Sequence, residues 1–266
     1  MAVCSDKIKN LHRASDLVKK AVEGGARIVS LPECFNSPYG TQFFAQYAEC
    51  VPNGETFVHL KELAIKHKIY LVGGSIPEKE DEQFFNTSLV FDPKGNMIAK
   101  HRKVHLFDID IPGKITFKES DVLSPGNTMT TFEVDGYCVG LGICYDMRFP
   151  ELAHLMREKG ARILLYPGAF NMTTGPIYFE LLTRMRAVDN QVYCASIAPA
   201  TDHSGSYVSW GHSCISAPSG EILTSAGHDE DIIYCDMDKE VLDGIRSSIP
   251  TWQQKRNDLY QVLEHK

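Results

Sequence analysis

The sequence predicts a layered α/β fold with two packed sheets in one domain. Three observations carry this prediction. Helical and strand periodicities alternate along the chain, which is the pattern of α/β layering. The order helix, strand, helix, strand, hairpin occurs twice, once in each half. No Pro/Gly/Ser-rich linker separates the halves, so both are expected to share one core.

In the first half, Ile8, Leu11, Leu17, Val18, Ala21 and Val22 lie mostly on one helical face, and Gly24-Gly25 ends the run. Arg27 to Leu31 is a short apolar strand that stops at Pro32. Asn36 to Gly40 is turn chemistry. Glu55 to Lys66 reads as a second helix and Ile69 to Val72 as a strand. Phe84 to Phe91 and Asn96 to Val104 are strands joined by Asp92-Pro93-Lys94-Gly95, hence a hairpin. His105 to Gly126 is loop-rich.

The second half opens on Tyr137 to Ile143, a strand by its alternation of Val139, Leu141 and Ile143 with Gly140 and Gly142. Those glycines mark places where something packs closely. Cys144 stands where this strand ends, and Pro150-Glu151 opens a helix reaching Lys159. A strand (Arg162 to Tyr166), a helix (Pro176 to Asn190) and a strand (Val192 to Ala198) follow. A hairpin turns at Ala217-Pro218-Ser219-Gly220. The last elements are a strand (Ile232 to Asp236) and a short helix (Lys239 to Arg246). Trp210 and His212 fall on a predicted strand and read as packing. Leu181, Leu182 and Met185 read as core. The repeat has one gap: only Met1 to Cys4 precede the first helix, whereas a full strand precedes its counterpart. A first strand is therefore expected to be missing, leaving an unpaired sheet edge.

Composition narrows the function. The chain has 266 residues and 43% hydrophobic content, enough for a large core. A formal net charge of −7 without a long basic block argues against a nucleic-acid partner. No apolar run approaches the ~18 residues that span a bilayer, and no signal region precedes the first helix. Neither a membrane partner nor export is expected. The 8 cysteines, Cys4, Cys34, Cys50, Cys138, Cys144, Cys194, Cys214 and Cys235, are scattered without a CxxC pair. Reduced thiols in a cytosol-like compartment follow, with no disulfide frame and no structural zinc.

Glu33, Lys103 and Cys144 each end or nearly end a predicted strand, where sites form in open α/β sheets. A thiol at a strand-to-helix turn is expected to be exposed and near a helix N-terminus, both of which favour the thiolate. Each group also has a plain explanation. Cys144 taken by itself reads first as a small buried hydrophobe. Glu33 reads as a solvated loop acid, Lys103 as one charge in Lys100-His101-Arg102-Lys103, and Glu119 as surface.

Three blocks, SLPECFNSPYG, KHRKVHLFDID and GLGICYDMRFPEL, resemble the catalytic blocks of the nitrilase (carbon–nitrogen hydrolase) superfamily in order and spacing. HLFDIDIPGKITFKES and YPGAFNMTTGP further resemble its omega-amidase subgroup. The resemblance runs from about Asp6 to Tyr260, and residues 1–266 are expected to form a single carbon–nitrogen hydrolase domain. It departs at the beginning, where the family has a first strand.

The resemblance implies a four-layer α-β-β-α sandwich that pairs into a homodimer or higher oligomer. It implies Glu33 as base, Lys103 as charge stabiliser, Cys144 as nucleophile and Glu119 as a supporting glutamate, with no cofactor and no metal. The implied substrates are small-molecule amides, the ω-amides of short 2-oxo dicarboxylic acids, in the cytoplasm and secondarily in mitochondria. Their distal carboxylate needs a donor. Arg148 and Tyr39 are candidates, Arg148 reading alternatively as a structural ion-pair partner. Tyr145 is expected to offer its backbone N–H to the oxyanion. Phe170, Thr173 and Thr174 complete the candidate lining. A sibling amidase acting on deaminated glutathione or an N-carbamoyl compound, and a catalytically silent scaffold, are the competing readings.

Overall fold

The computed structural model describes residues 1–265. Asp6 caps α1 (Lys7–Glu23) by accepting from the Lys9 N–H, and Gly25 at φ +93° turns the chain out of it. β1 (Ile28–Ser30), α2 (Thr41–Tyr47), α3 (Glu55–His67), β2 (Tyr70–Val72), β3 (Ile76–Glu80), β4 (Gln83–Phe91) and β5 (Met97–Arg102) follow. β1 and β2 run parallel, and β4 runs antiparallel to β2, β3 and β5.

A small hairpin, β6 (Asp108–Ile111) and β7 (Ile115–Lys118), precedes the second half. That half comprises β8 (Thr130–Val134), β9 (Tyr137–Leu141), α4 (Pro150–Glu158), β10 (Ile163–Pro167), α5 (Gly175–Asn190), β11 (Tyr193–Ile197), β12 (Cys214–Ser216), β13 (Ile222–Ser225) and α6 (Lys239–Ser248). Its strands form one sheet in the order β13-β12-β11-β10-β9-β8, with β9, β10 and β11 parallel.

Side-chain alternation then builds the layers. Along β10, Ile163 and Leu165 point into the core between the sheets, beside Val72, Val90 and Leu141. Leu164 and Tyr166 point the other way, to Met156 of α4 and Phe179 of α5. Leu11 and Val18 of α1 and Leu60 and Leu63 of α3 cover the outer face of the first sheet, against Leu71 and Leu89. The result is the expected α-β-β-α sandwich. Each fully buried Leu or Ile contributes about 1.5–3 kcal/mol, so the three cores dominate stability.

Several expectations are corrected. The loop-rich segment holds the β6–β7 hairpin, closed at Pro112-Gly113 with Gly113 at φ +73°. α2, β3 and β8 were not predicted. Ile232 to Asp236 is not a strand, because no neighbouring strand pairs with its backbone. Leu182 is buried, but Leu181 and Met185 face outward, at 48% and 41% exposure. Trp210 and His212 lie in a loop, where their rings stack at 4.1 Å.

β1 closes one end of its sheet, and among the described residues no strand precedes α1. An apolar groove of about 560 Å³ runs beside that open edge, lined by Ile28, Val29, Ile163, Ile215 and Ile233. None of Glu33, Lys103 or Cys144 lines it, so it lies apart from the candidate chemistry. The Leu31 N–H bonds to the Val72 carbonyl, so the alternate amides of Ile28 and Ser30 face the groove. Hydrogen exchange should therefore be at least about tenfold faster at Ile28 and Ser30 than at Val29 and Leu31. Equal protection at the four amides would show that the edge is covered.

Candidate active site

Three strand exits deliver the candidate groups. β1 runs through Leu31-Pro32 to Glu33, β5 ends one residue before Lys103, and β9 runs through Gly142-Ile143 to Cys144. The structure brings all three together and buries them at 1%, 0% and 4% exposure. Packing that tight needs the predicted glycines. A Cβ on Gly142 would stand 2.7 Å from the Tyr166 ring, and one on Gly140 2.7 Å from Leu164. Cys144 itself takes φ +48°, a left-handed conformation costly for a residue with a side chain.

The Lys103 ammonium donates to Glu33 Oε1 and Glu119 Oε1, both at 3.0 Å. Glu33 Oε1 also accepts from Asn86 Nδ2 at 2.8 Å, and Oε2 from the Ala169 N–H at 2.7 Å. Glu119, fully buried, accepts from the Tyr39 hydroxyl at 2.6 Å and the Phe107 N–H at 2.7 Å. Both buried carboxylates are thus paired and multiply hydrogen-bonded, as burial of charge requires.

Cys144 departs from expectation in one respect. Its thiol is buried, not exposed, and lies beside the Glu33 carboxylate. Burial and the neighbouring Glu33 charge push the thiol well above its usual range, with Lys103 offsetting part of this. The resting group is therefore a neutral thiol that needs a base. Burial also raises Glu33, and the Lys103 charge opposes that rise. For Lys103, burial favours the neutral amine, but Glu119 and Glu33 outweigh it and keep the ammonium.

Tyr145, Phe170 and Thr174 line a small cleft over Cys144, with Phe107, Ala169 and Tyr207. Thr173 and Thr174 donate their N–H groups to Asn171 Oδ1, both at 2.9 Å, which shapes the turn below the cleft. The Tyr39 ring packs against Phe117 and Tyr207, at 5.6 and 4.6 Å. The Arg148 guanidinium sits over three rings, Tyr145 at 5.6 Å, Phe170 at 5.3 Å and Tyr178 at 4.6 Å. Its Nε is buried without a partner, and among the described residues no carboxylate pairs with it. The ion-pair alternative for Arg148 thus finds no acid.

Sequence reasoning missed Asn86, the Ala169 N–H and Tyr207, whose hydroxyl donates to the Ala169 carbonyl at 2.6 Å. One signal was available: Asn86 is a polar side chain inside the apolar strand Phe84 to Phe91.

Comparison with known proteins identifies the family. The model of the carbon–nitrogen hydrolase family matches residues 1–247. The chain is 56% identical over 267 residues to omega-amidase NIT2 of Mus musculus, covering 100% of this chain and 96% of the mouse protein. It is 55% identical over 263 residues to omega-amidase NIT2 of Homo sapiens, covering 98% and 95% of the two chains. The crystal structure of Saccharomyces cerevisiae Nit3, a member of branch 10 of the nitrilase superfamily, superposes with a TM-score of 0.89 at 44% identity, covering 96% and 93%. Similarity of this extent, over a buried acid, amine and thiol, means that the chain belongs to the carbon–nitrogen hydrolase family and is an amidase that breaks carbon–nitrogen bonds.

Proposed function

We propose that this amidase is an omega-amidase, which hydrolyses the terminal amide of 2-oxo dicarboxylic acid monoamides through a thioester on Cys144. The substrates are 2-oxoglutaramate and 2-oxosuccinamate, and the products are the 2-oxo acid and ammonia. The observation that carries the reading is the Arg148 guanidinium, which no acid among the described residues pairs and which packs on the rings of Tyr145 and Phe170, two of the residues that line the cleft over the thiol. An ω-amide of this kind presents one carboxylate away from the scissile bond, and a guanidinium is its natural partner.

The chemistry follows from the site. Glu33 takes the Cys144 proton as the sulfur attacks the amide carbonyl carbon. The oxyanion is held by the Lys103 ammonium and the Tyr145 N–H. Glu33 returns the proton to nitrogen as the C–N bond breaks, and ammonia leaves. Glu33 next takes a proton from water, hydroxide attacks the thioester, and the thiol is reprotonated as the acid departs. Glu119 holds Lys103 in place, and Tyr39 holds Glu119. Tyr145, Phe170 and Thr174 shape the cleft. The chemistry uses Lys103 for charge and asks for no cofactor or metal.

Residues 1–266 act as one catalytic domain in this reading, in the cytoplasm and secondarily in mitochondria, without nucleic-acid or membrane partners. No helix among the described residues is long and apolar enough to cross a membrane. A homodimer is supported by α5, which exposes Ile177, Leu181, Met185 and Val188 on one side. Sedimentation should give twice the mass of the chain.

The test is ammonia release from 2-oxoglutaramate, with kcat/KM at least about tenfold above that for deaminated glutathione or an N-carbamoyl amino acid. The reverse order moves the assignment to a sibling amidase. No release from any amide by folded protein makes the chain a silent scaffold. Arg148→Leu should raise the KM for 2-oxoglutaramate by about 10–100-fold, the loss of a charged hydrogen bond. Its effect on an amide lacking the carboxylate, such as butyramide, should be small. An unchanged KM for 2-oxoglutaramate would remove Arg148 from the site.

A further inference from the structure

Asp146 stands two residues past Cys144, fully buried, and takes no part in the amide chemistry described above. Oδ1 accepts from the His105 backbone N–H at 2.9 Å and from His105 Nδ1 at 2.8 Å. Oδ2 accepts from the Ile143 N–H at 2.9 Å and from His101 Nε2 at 3.0 Å. His101 is itself buried, with Nδ1 2.9 Å from Thr130 Oγ1. The His105 ring stacks flat on Phe149, with centroids 3.6 Å apart.

These contacts bracket the active-site ammonium. His101 precedes Lys103 by two residues and His105 follows it by two. Both are bonded to one carboxylate, whose other tie is the N–H of the residue just before Cys144. Burial disfavours the charged carboxylate, but hydrogen bonds from His101, His105 and Ile143 hold Asp146 well below the usual range, so it stays ionised.

We propose that Asp146 is a positioning residue that sets the Lys103 ammonium against the Cys144 thiol and holds Cys144 in its left-handed conformation. The inference rests on the reading of Cys144 as nucleophile. A misplacement of about 1 Å between reacting groups costs about 10²-fold in rate, and Asp146, two residues from Cys144, is the one acceptor that ties His101 of β5 and His105 to the nucleophile turn. Asparagine cannot replace it. Each carboxylate oxygen faces a backbone N–H, so either rotation of the amide sets its NH₂ against a donor that cannot turn away.

Asp146→Asn is expected to lower kcat by about 10²-fold while KM stays within about threefold. Alkylation of Cys144 by iodoacetamide, followed by peptide mass spectrometry, should slow by about tenfold or more. Alkylation needs no amide substrate, so it decides the proposal even where the substrate reading fails. A fall in kcat of less than about tenfold, a loss carried by KM, or alkylation as fast as in the unchanged protein overturns it. Leu63→Ala, in the far helix cluster, serves as a control of lowered stability. If it loses as much kcat at the same temperature, the positioning role falls.

His105→Phe keeps the stack on Phe149 and deletes one ring donor, and it carries the test alone if Asp146→Asn does not fold. A kcat reduced about threefold or more at unchanged KM supports the proposal, and any smaller effect overturns it.

Discussion

Cys144→Ala should abolish ammonia release from 2-oxoglutaramate, a loss of at least about 10³-fold in kcat. In the proposed mechanism alanine removes the sulfur that forms the thioester and leaves Glu33 with no proton to take. The fold should survive. Cys144 packs among Ile143, Phe170 and Phe179, where loss of one sulfur leaves a void smaller than a methylene-rich deletion would. The variant should therefore match the unchanged protein in sedimentation and circular dichroism. Quenched samples of the unchanged protein should carry the acyl adduct on Cys144, and the variant none. Turnover retained by a folded Cys144→Ala protein would sink the thioester mechanism.

Lys103→Met should damage both activity and stability. One ammonium bridges two buried carboxylates, each 3.0 Å away. Methionine fills the volume but leaves Glu33 and Glu119 facing each other without a counter-charge. Breaking a buried pair in this way costs about 3–5 kcal/mol. The sign with pH follows from the Glu33 site. Burial raises Glu33, Lys103 opposes that rise and Glu119 adds to it. Without Lys103 its folded pKa climbs further above the unfolded value. Stability is then present below the unfolded pKa and lost as pH rises through the folded one. The urea-midpoint deficit of the variant should be smaller at about pH 4, below the ordinary glutamate value, than at about pH 8. Loss of the Lys103 charge drives Glu33 toward its protonated form and removes the cation that faces the oxyanion, so kcat should fall by about 10³-fold or more. A midpoint deficit equal at both pH values would show that the carboxylates do not share Lys103.

Much of this was legible in the chain. The apolar run before Pro32, the Asp92 to Gly95 turn and the glycine-spaced strand before Cys144 are local signals. Each placed a strand end, and the strand ends placed Glu33, Lys103 and Cys144. Helices α1, α3, α4 and α5 were readable within a residue or two, because their faces repeat over several turns. α2, Thr41–Tyr47, is only 7 residues long and starts without a side-chain cap, too short for its period to show. Ile232 to Asp236 has strand composition, yet composition cannot supply the neighbour whose hydrogen bonds make a strand.

The sequence by itself determined which side chains exist at which strand ends, and hence the acid, amine and thiol of the candidate site. Tertiary structure alone decided their state. Cys144 was expected to be exposed and readily ionised, but Tyr145, Phe170 and Tyr207 close over it and the Glu33 charge faces it. Around Arg148, which the sequence left open between ion pair and ligand, the fold places three aromatic rings and, among the described residues, no paired acid. The physical reason is range. Periodicity and turn chemistry act over a few residues, whereas desolvation and charge pairing sum over segments far apart in the chain.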